Sequence, residues 1–157
     1  MAVYASRVYQ ATVSTTTESC GYIVAGTTAR RGLVFDMNLG AWSAPASTDT
    51  NIIFTLERQT STGGSTFTVY TPLPVNPADA AFVGKVGINN GTVEPTVTAA
   101  GQVFTIGMNQ RAPFRWQTYL GSGAELAYAA TTDTGFALRV TSLGYTGQAG
   151  AQIYHTE

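Results

Sequence analysis

Charged side chains are scarce in this sequence. Lys, Arg, Asp and Glu make up 11% of the 157 residues, and the net charge is −1, whereas soluble domains carry about 25% charged residues. The basic residues group only at Arg30–Arg31 and at Arg111 and Arg115, so the chain lacks the basic surface that binds nucleic acid. We therefore predict a neutral surface of Thr, Ser, Ala and Gly, which suits coverage by neighbouring protein subunits.

Cysteine and histidine each occur once, as Cys20 and His155. Without a disulfide, packing alone must hold the fold, and we interpret Cys20 as a small buried hydrophobic residue. We interpret His155 as a surface residue at a strand end. A zinc site needs three or four protein ligands, and the carboxylates show neither a calcium-loop spacing nor a glycosidase pattern. The sequence therefore predicts no metal, no cofactor and no enzyme.

Long apolar runs are also missing. No stretch approaches the roughly 18 residues of a membrane span, and the first ten residues lack the charged and apolar regions of a signal peptide. We expect no membrane contact. No linker or repeat interrupts the chain, so we predict a single domain over residues 1–157, with residues 1–13 as an N-terminal arm or an edge strand.

Alternation of hydrophobic and polar residues is the dominant pattern that is present. A period of two places each hydrophobic set on one face of a strand. The sets are Leu33, Phe35, Met37 and Leu39; Ile52, Phe54 and Leu56; Phe67 and Val69; Phe104, Ile106 and Met108; Phe114, Trp116 and Thr118; and Phe136, Leu138 and Val140. With weaker candidates at 3–13, 82–88 and 152–156, the sequence predicts an all-β, antiparallel two-sheet sandwich, jelly-roll-like, with about eight strands.

Turn residues separate these segments. Gly63–Gly64 predicts a hairpin between its flanking strands, and Asn90–Gly91 predicts a type I′ turn. Pro72, Pro74 and Pro77 indicate a non-strand loop that crosses between the sheets.

Tryptophan, tyrosine and arginine are the residue types that dominate protein interfaces. Trp42 lies among small residues, which favours an exposed anchor, while Trp116 alternates with Phe114 and is predicted to be core. Arg115 and Tyr119 then face the opposite way. The predicted contact residues are Tyr4, Arg7, Tyr9, Trp42, Pro72, Pro74, Asn76, Asn109, Gln110, Arg111, Arg115 and Tyr119.

Several short segments follow one another in a characteristic order. They are residues 29–33 (ARRGL), 56–60 (LERQT) with 62–64 (TGG), the proline-bearing 72–80, 109–116 (NQRAPFRW), 135–140 (GFALRV) and the final Glu157. This order resembles a family of small phage virion proteins that act as head cement, or decoration, proteins. The resemblance implies a jelly-roll-like fold and a homotrimer that binds the major capsid protein on the outside of the head. It implies location in the virion, assembled in the host cytoplasm, and it carries over no catalytic residue.

Other functions remain open at the level of sequence. A carbohydrate-binding or receptor-binding module would need exposed, coplanar aromatic rings near a groove. A hydrolase of unrecognised type would need two carboxylates within roughly 5–10 Å of each other in a cleft. Another virion part, such as a tail or neck adaptor, would have the same sequence pattern as a cement protein.

Overall fold

The computed structural model describes residues 1–28, 30–89 and 91–157, and within them the chain is all-β with 11 strands. The strands are β1 Val3–Gln10, β2 Glu18–Val24, β3 Gly32–Ala41, β4 Asn51–Ser61, β5 Thr68–Tyr70, β6 Lys85–Ile88, β7 Thr96–Asn109, β8 Phe114–Gln117, β9 Leu126–Tyr128, β10 Gly135–Ser142 and β11 Ala149–Thr156. Ala29, at the start of the arginine-rich segment, and Asn90, in the expected type I′ turn, lie outside the described residues.

The strands form two antiparallel sheets, confirming the predicted sandwich. The first sheet has the order β1-β11-β3-β8, with β9 paired to the other half of β3, and the second has the order β5-β6-β2-β10-β4-β7. Without β5, β6 and β9, the two four-stranded orders are those of a jelly roll. The described residues form 11 strands rather than the expected eight or so. The predicted segments include β5 and β6, whereas β2 and β9 were missed.

The core between the sheets follows the predicted alternation in β4 and β10. Ile52, Phe54 and Leu56 on β4 are buried, as are Leu138 and Val140 on β10. Hydrophobic burial of one face of each sheet is the main force that holds the two layers together.

The alternation predicted for β3 is wrong at its beginning. Tyr154 pairs with Asp36 and His155 pairs with Val34, so Phe35 is the extra residue of a β-bulge. The bulge places the side chains that precede it on the face of the sheet opposite to the one predicted. Val34 is consequently buried, whereas Leu33 and Phe35 remain half-buried.

The turn at Gly63–Gly64 forms, but the hairpin predicted there is wrong. Both glycines have a positive φ, 61° and 72°, and the amide of Ser65 donates to the carbonyl of Thr62 at 2.8 Å. The flanking strands nevertheless do not pair, because β4 pairs with β7 and β10 while β5 pairs with β6. Phe67 is buried instead in a second hydrophobic cluster, with Tyr22, Val24 and Ala137.

The outer edge of β1 is closed by Tyr70, the last residue of β5, and by the segment that follows it. The Tyr70 hydroxyl accepts a hydrogen bond from the Arg7 amide at 2.7 Å and donates one to the Arg7 carbonyl at 3.1 Å. Further along, the Val75 amide donates to the Val3 carbonyl at 2.8 Å, and Pro74 forms a bridge with Tyr4. Residues 3–10 are thus an edge strand, and the proline loop covers that edge before it returns to the second sheet.

We predict that Tyr70→Phe destabilises the protein, because it removes both side-chain hydrogen bonds from the β1 edge. The expected loss in the free energy of unfolding is about 1 kcal/mol, measured by urea denaturation. Tyr119→Phe is the matched control, since Tyr119 is 87% exposed and its variant should unfold like the wild type. Equal stability of both variants would show that the β1 edge does not depend on this hydroxyl.

Candidate functional site

The single histidine is buried, so its predicted surface position is wrong. His155 Nε2 lies 2.7 Å from the hydroxyl of Ser6, and both residues are 0% exposed. Its ring packs against Tyr4 and Phe82 at centroid distances of 5.6 and 5.0 Å. Burial lowers the pKa of His155 to about 3. Alternation with the buried Ile153 on β11 was the sequence signal that could have located it.

This Ser–His pair has two members of a hydrolytic triad but not the environment of one. A working histidine needs a carboxylate on its second nitrogen and a nucleophile that substrate can reach. Nδ1 of His155 has no hydrogen-bond partner among the described residues, and the Ser6 hydroxyl is sealed in the core. The pair is therefore a buried polar contact inside the sandwich, made through Nε2 of the histidine alone.

Other reactive groups are likewise sequestered or dispersed. Burial raises the pKa of the Cys20 thiol, which keeps it protonated and weakly nucleophilic. Across residues 1–28, 30–89 and 91–157, no three His, Cys, Asp or Glu side chains gather where they could hold a metal ion. The same residues include no helix of the length and apolarity needed to cross a membrane.

A groove lies on the outer face of the first sheet, and strand register creates it. Tyr9, Gly150 and Gly40 occupy neighbouring positions on β1, β11 and β3. Gly40 leaves a gap on this face of the sheet because it has no side chain, whereas the space beside Gly150 is filled by the backbone of Val8 and by Tyr9. The groove has a volume of about 460 Å³ and is lined by Asn38, Gly40, Trp42, Arg111, Pro113 and Gln152, among others.

Arginines surround this groove, and two of them are already paired. Arg115 holds Asp36 through two hydrogen bonds of 3.0 and 2.6 Å, which is the strong bidentate geometry. Arg111 bonds Asp49 at 2.5 Å. The guanidinium of Arg7 lies 4.9 Å from the centroid of the Tyr9 ring, close enough for a cation–π contact.

The predicted contact residues separate into groups. Arg7, Tyr9, Trp42, Arg111 and Arg115 come together on or beside the groove, and Tyr119 is exposed on a separate loop. Tyr4, Pro72 and Gln110 are buried, so their predicted role as surface contacts is wrong.

The remaining members of the set have local structural roles. The Gln110 side chain accepts from the Ala46 amide and donates to the Thr48 carbonyl, which holds that loop. The Asn109 side chain caps its own turn. Pro74 and Asn76 belong to the segment that closes the β1 edge.

The second candidate surface was missed and lies on the opposite sheet. Among the described residues, β7 pairs with β4 alone, and residues 102–109 of β7 are what we call the open edge. No charged residue occurs between Glu94 and Arg111, although edge strands are usually protected by charge, proline or a cover. That uncharged run was the sequence signal that could have revealed the open edge.

An exposed apolar patch adjoins the open edge. Ile53 pairs with Gly107 across β4 and β7, and because Gly107 has no side chain, Ile53 remains 42% exposed. Leu143 is 93% exposed and lines the same shallow groove as Ile53. The turn that presents Leu143 is fixed by Ser142, whose hydroxyl bonds the Asn51 carbonyl and the Tyr145 amide at 2.7 and 3.0 Å. Ile53 and Leu143 are therefore the candidate contact residues on the second sheet.

Comparisons with known proteins found no relative of this chain. No protein-family model matches the chain, and neither the curated proteins nor the solved structures gave a significant match. The two surfaces themselves must therefore support any assignment of function.

We predict that His155 makes the protein less stable as the pH falls. The unfolded chain takes up a proton near the ordinary pKa of 6.5, while the folded protein resists it until about pH 3. Stability is therefore fully present above pH 6.5 and is lost toward pH 3, by up to about 1.4 kcal/mol per pH unit. Urea unfolding of the wild type and His155→Gln between pH 7 and 4 should give a flatter pH profile for the variant. Parallel profiles would contradict the buried neutral histidine.

Proposed function

We propose that the chain is a virion structural protein, a cement or decoration protein that binds the outside of a phage head through the major capsid protein. The observation that carries this proposal is the contrast between the closed β1 edge and the open, uncharged edge of β7. The β1 edge has side-chain and main-chain partners at Val3, Arg7 and Tyr9. The open edge keeps its outward backbone groups available, so a strand of another protein can pair with it.

The side chains around the open edge favour a protein partner. Phe104 on β7 contacts Phe114 and Trp116 on β8 at centroid distances of 5.9 and 6.5 Å, and these rings are only half-buried. Aromatic and apolar surface of this kind releases water when it is covered. Ile53 and Leu143 extend the same apolar surface onto the outer face of the second sheet.

The proposed unit is a homotrimer, which would present three open edges to the shell at once. Several weak contacts made together bind far more tightly than any one alone. The protein would reside in the virion after assembly in the host cytoplasm, and its role would be binding rather than catalysis. The sealed Ser6–His155 pair and the protonated Cys20 fit that role.

The proposal is tested with the intact protein in two measurements. Light scattering after gel filtration should give three times the 16.5 kDa of one chain. Co-sedimentation with empty shells, assembled from the major capsid protein of the same genome, should then retain the protein. A monodisperse monomer that stays in the supernatant would overturn the proposal without affecting the fold.

We predict that Leu143→Asp weakens retention on these shells by at least about tenfold, because a charge replaces the exposed centre of the apolar patch. Folding should be unaffected, as judged by circular dichroism, since Leu143 contributes little to the core. Leu73→Asp is the matched control: Leu73 is 82% exposed, but it lies on the proline loop at the closed edge. Loss of retention with Leu73→Asp alone would place the contact on the proline loop and contradict the open-edge assignment.

A further inference from the structure

We infer that the groove on the outer face of the first sheet is a binding site for the pyranose ring of a neutral glycan. The site is separate from the open edge and from the apolar patch of Ile53 and Leu143, because both of these lie on the other sheet. The inference rests on three features of the groove: its shape, its hydrogen-bonding groups and its charge.

The shape of the groove comes from Gly40, which leaves its floor free. A Cβ built on Gly40 would be 3.8 Å from the indole nitrogen of Trp42 and 3.9 Å from the Cβ of Pro113. Those are ordinary contact distances, so the space above Gly40 is open and bounded by ring-shaped side chains. The volume of about 460 Å³ falls in the range of small-ligand sites.

The lining residues match the two chemical faces of a sugar. Trp42 is 39% exposed, so its ring can stack on the apolar C–H face of a pyranose. Asn38 and Gln152 occupy paired positions on β3 and β11 beside it, and each amide offers both donors and an acceptor to neighbouring hydroxyls. The ring centroid of Tyr9 is 6.1 Å from that of Trp42, and the two rings are tilted by 41°. They are therefore not the coplanar pair expected of a carbohydrate-binding module, and the inference is limited to one pyranose ring stacked on Trp42.

The charges at the groove favour a neutral ligand. Arg111 and Arg115 are already bonded to Asp49 and Asp36, so an anion would have to compete with those carboxylates. A peptide strand is also a poor fit, because β11 is paired on both sides here, and β3 is paired with β11 and, as far as Leu39, with β8. Hydroxyl groups on a single ring use the available amides without needing a free sheet edge.

The test is a titration of the full chain with four methyl pyranosides: those of glucose, galactose, mannose and N-acetylglucosamine. The indole N–H of Trp42 is followed by NMR and compared with that of Trp116. At least one probe should shift the Trp42 signal with a Kd on the order of 1 mM, as expected for a ligand of this size. No shift of the Trp42 signal with any probe up to about 50 mM would overturn the inference.

Variants separate binding in the groove from binding elsewhere. Gly40→Ala fills the floor without a clash and should weaken binding at least about tenfold, and Trp42→Ala should abolish it. Gly107→Ala is the matched control, because that strand glycine has no atom within 4 Å of an added Cβ and lies on the open edge. Unchanged affinity in Gly40→Ala would overturn the inference, as would loss of affinity in Gly107→Ala. Leu143→Asp should bind the sugar normally, which keeps this outcome independent of shell binding.

Discussion

A sheet of finite width has two edges, and the backbone hydrogen bonds at those edges are the constraint on which the rest of this structure depends. The edges of the two sheets differ in how far their backbone groups are paired. At β1 the chain folds back and supplies Tyr70 and Val75 as partners. The edges at β5, β8 and β9 are only three or four residues long. The open edge of β7 is longer and uncharged, and this difference directs the proposed contacts to one side of the molecule.

Much of the core was predictable because burial follows a period of two wherever one face of a strand is exposed to solvent. On β4 and β10 the alternation placed Phe54 and Leu138 correctly. It failed at Phe35, since a bulge depends on the partner strand rather than on local sequence. It also missed β2, where Tyr22 is buried on one face and Cys20 on the other. A strand covered on both sides shows no alternation.

The candidate site was predictable in its residue types but not in its shape. Trp42 and Arg7 were identified because aromatic and guanidinium groups make strong contacts wherever they are exposed. The groove beside Trp42 depends on Asn38 of β3 pairing with Gln152 of β11, and strands so far apart in sequence reveal their register only in the folded chain. The same limit applied to Tyr4, whose place beside His155 and Phe82 buries it.

The resulting proposal is a sandwich with a closed β1 edge that binds its partner through the open edge of β7. Hydrogen–deuterium exchange of the protein, free and bound to capsid shells, tests that proposal most directly. Amides on the outward side of residues 102–109 should exchange quickly in the free protein and slowly in the bound one, while those of β1 stay protected throughout. Slowed exchange confined to β1 or β5, with β7 unchanged, would contradict the account.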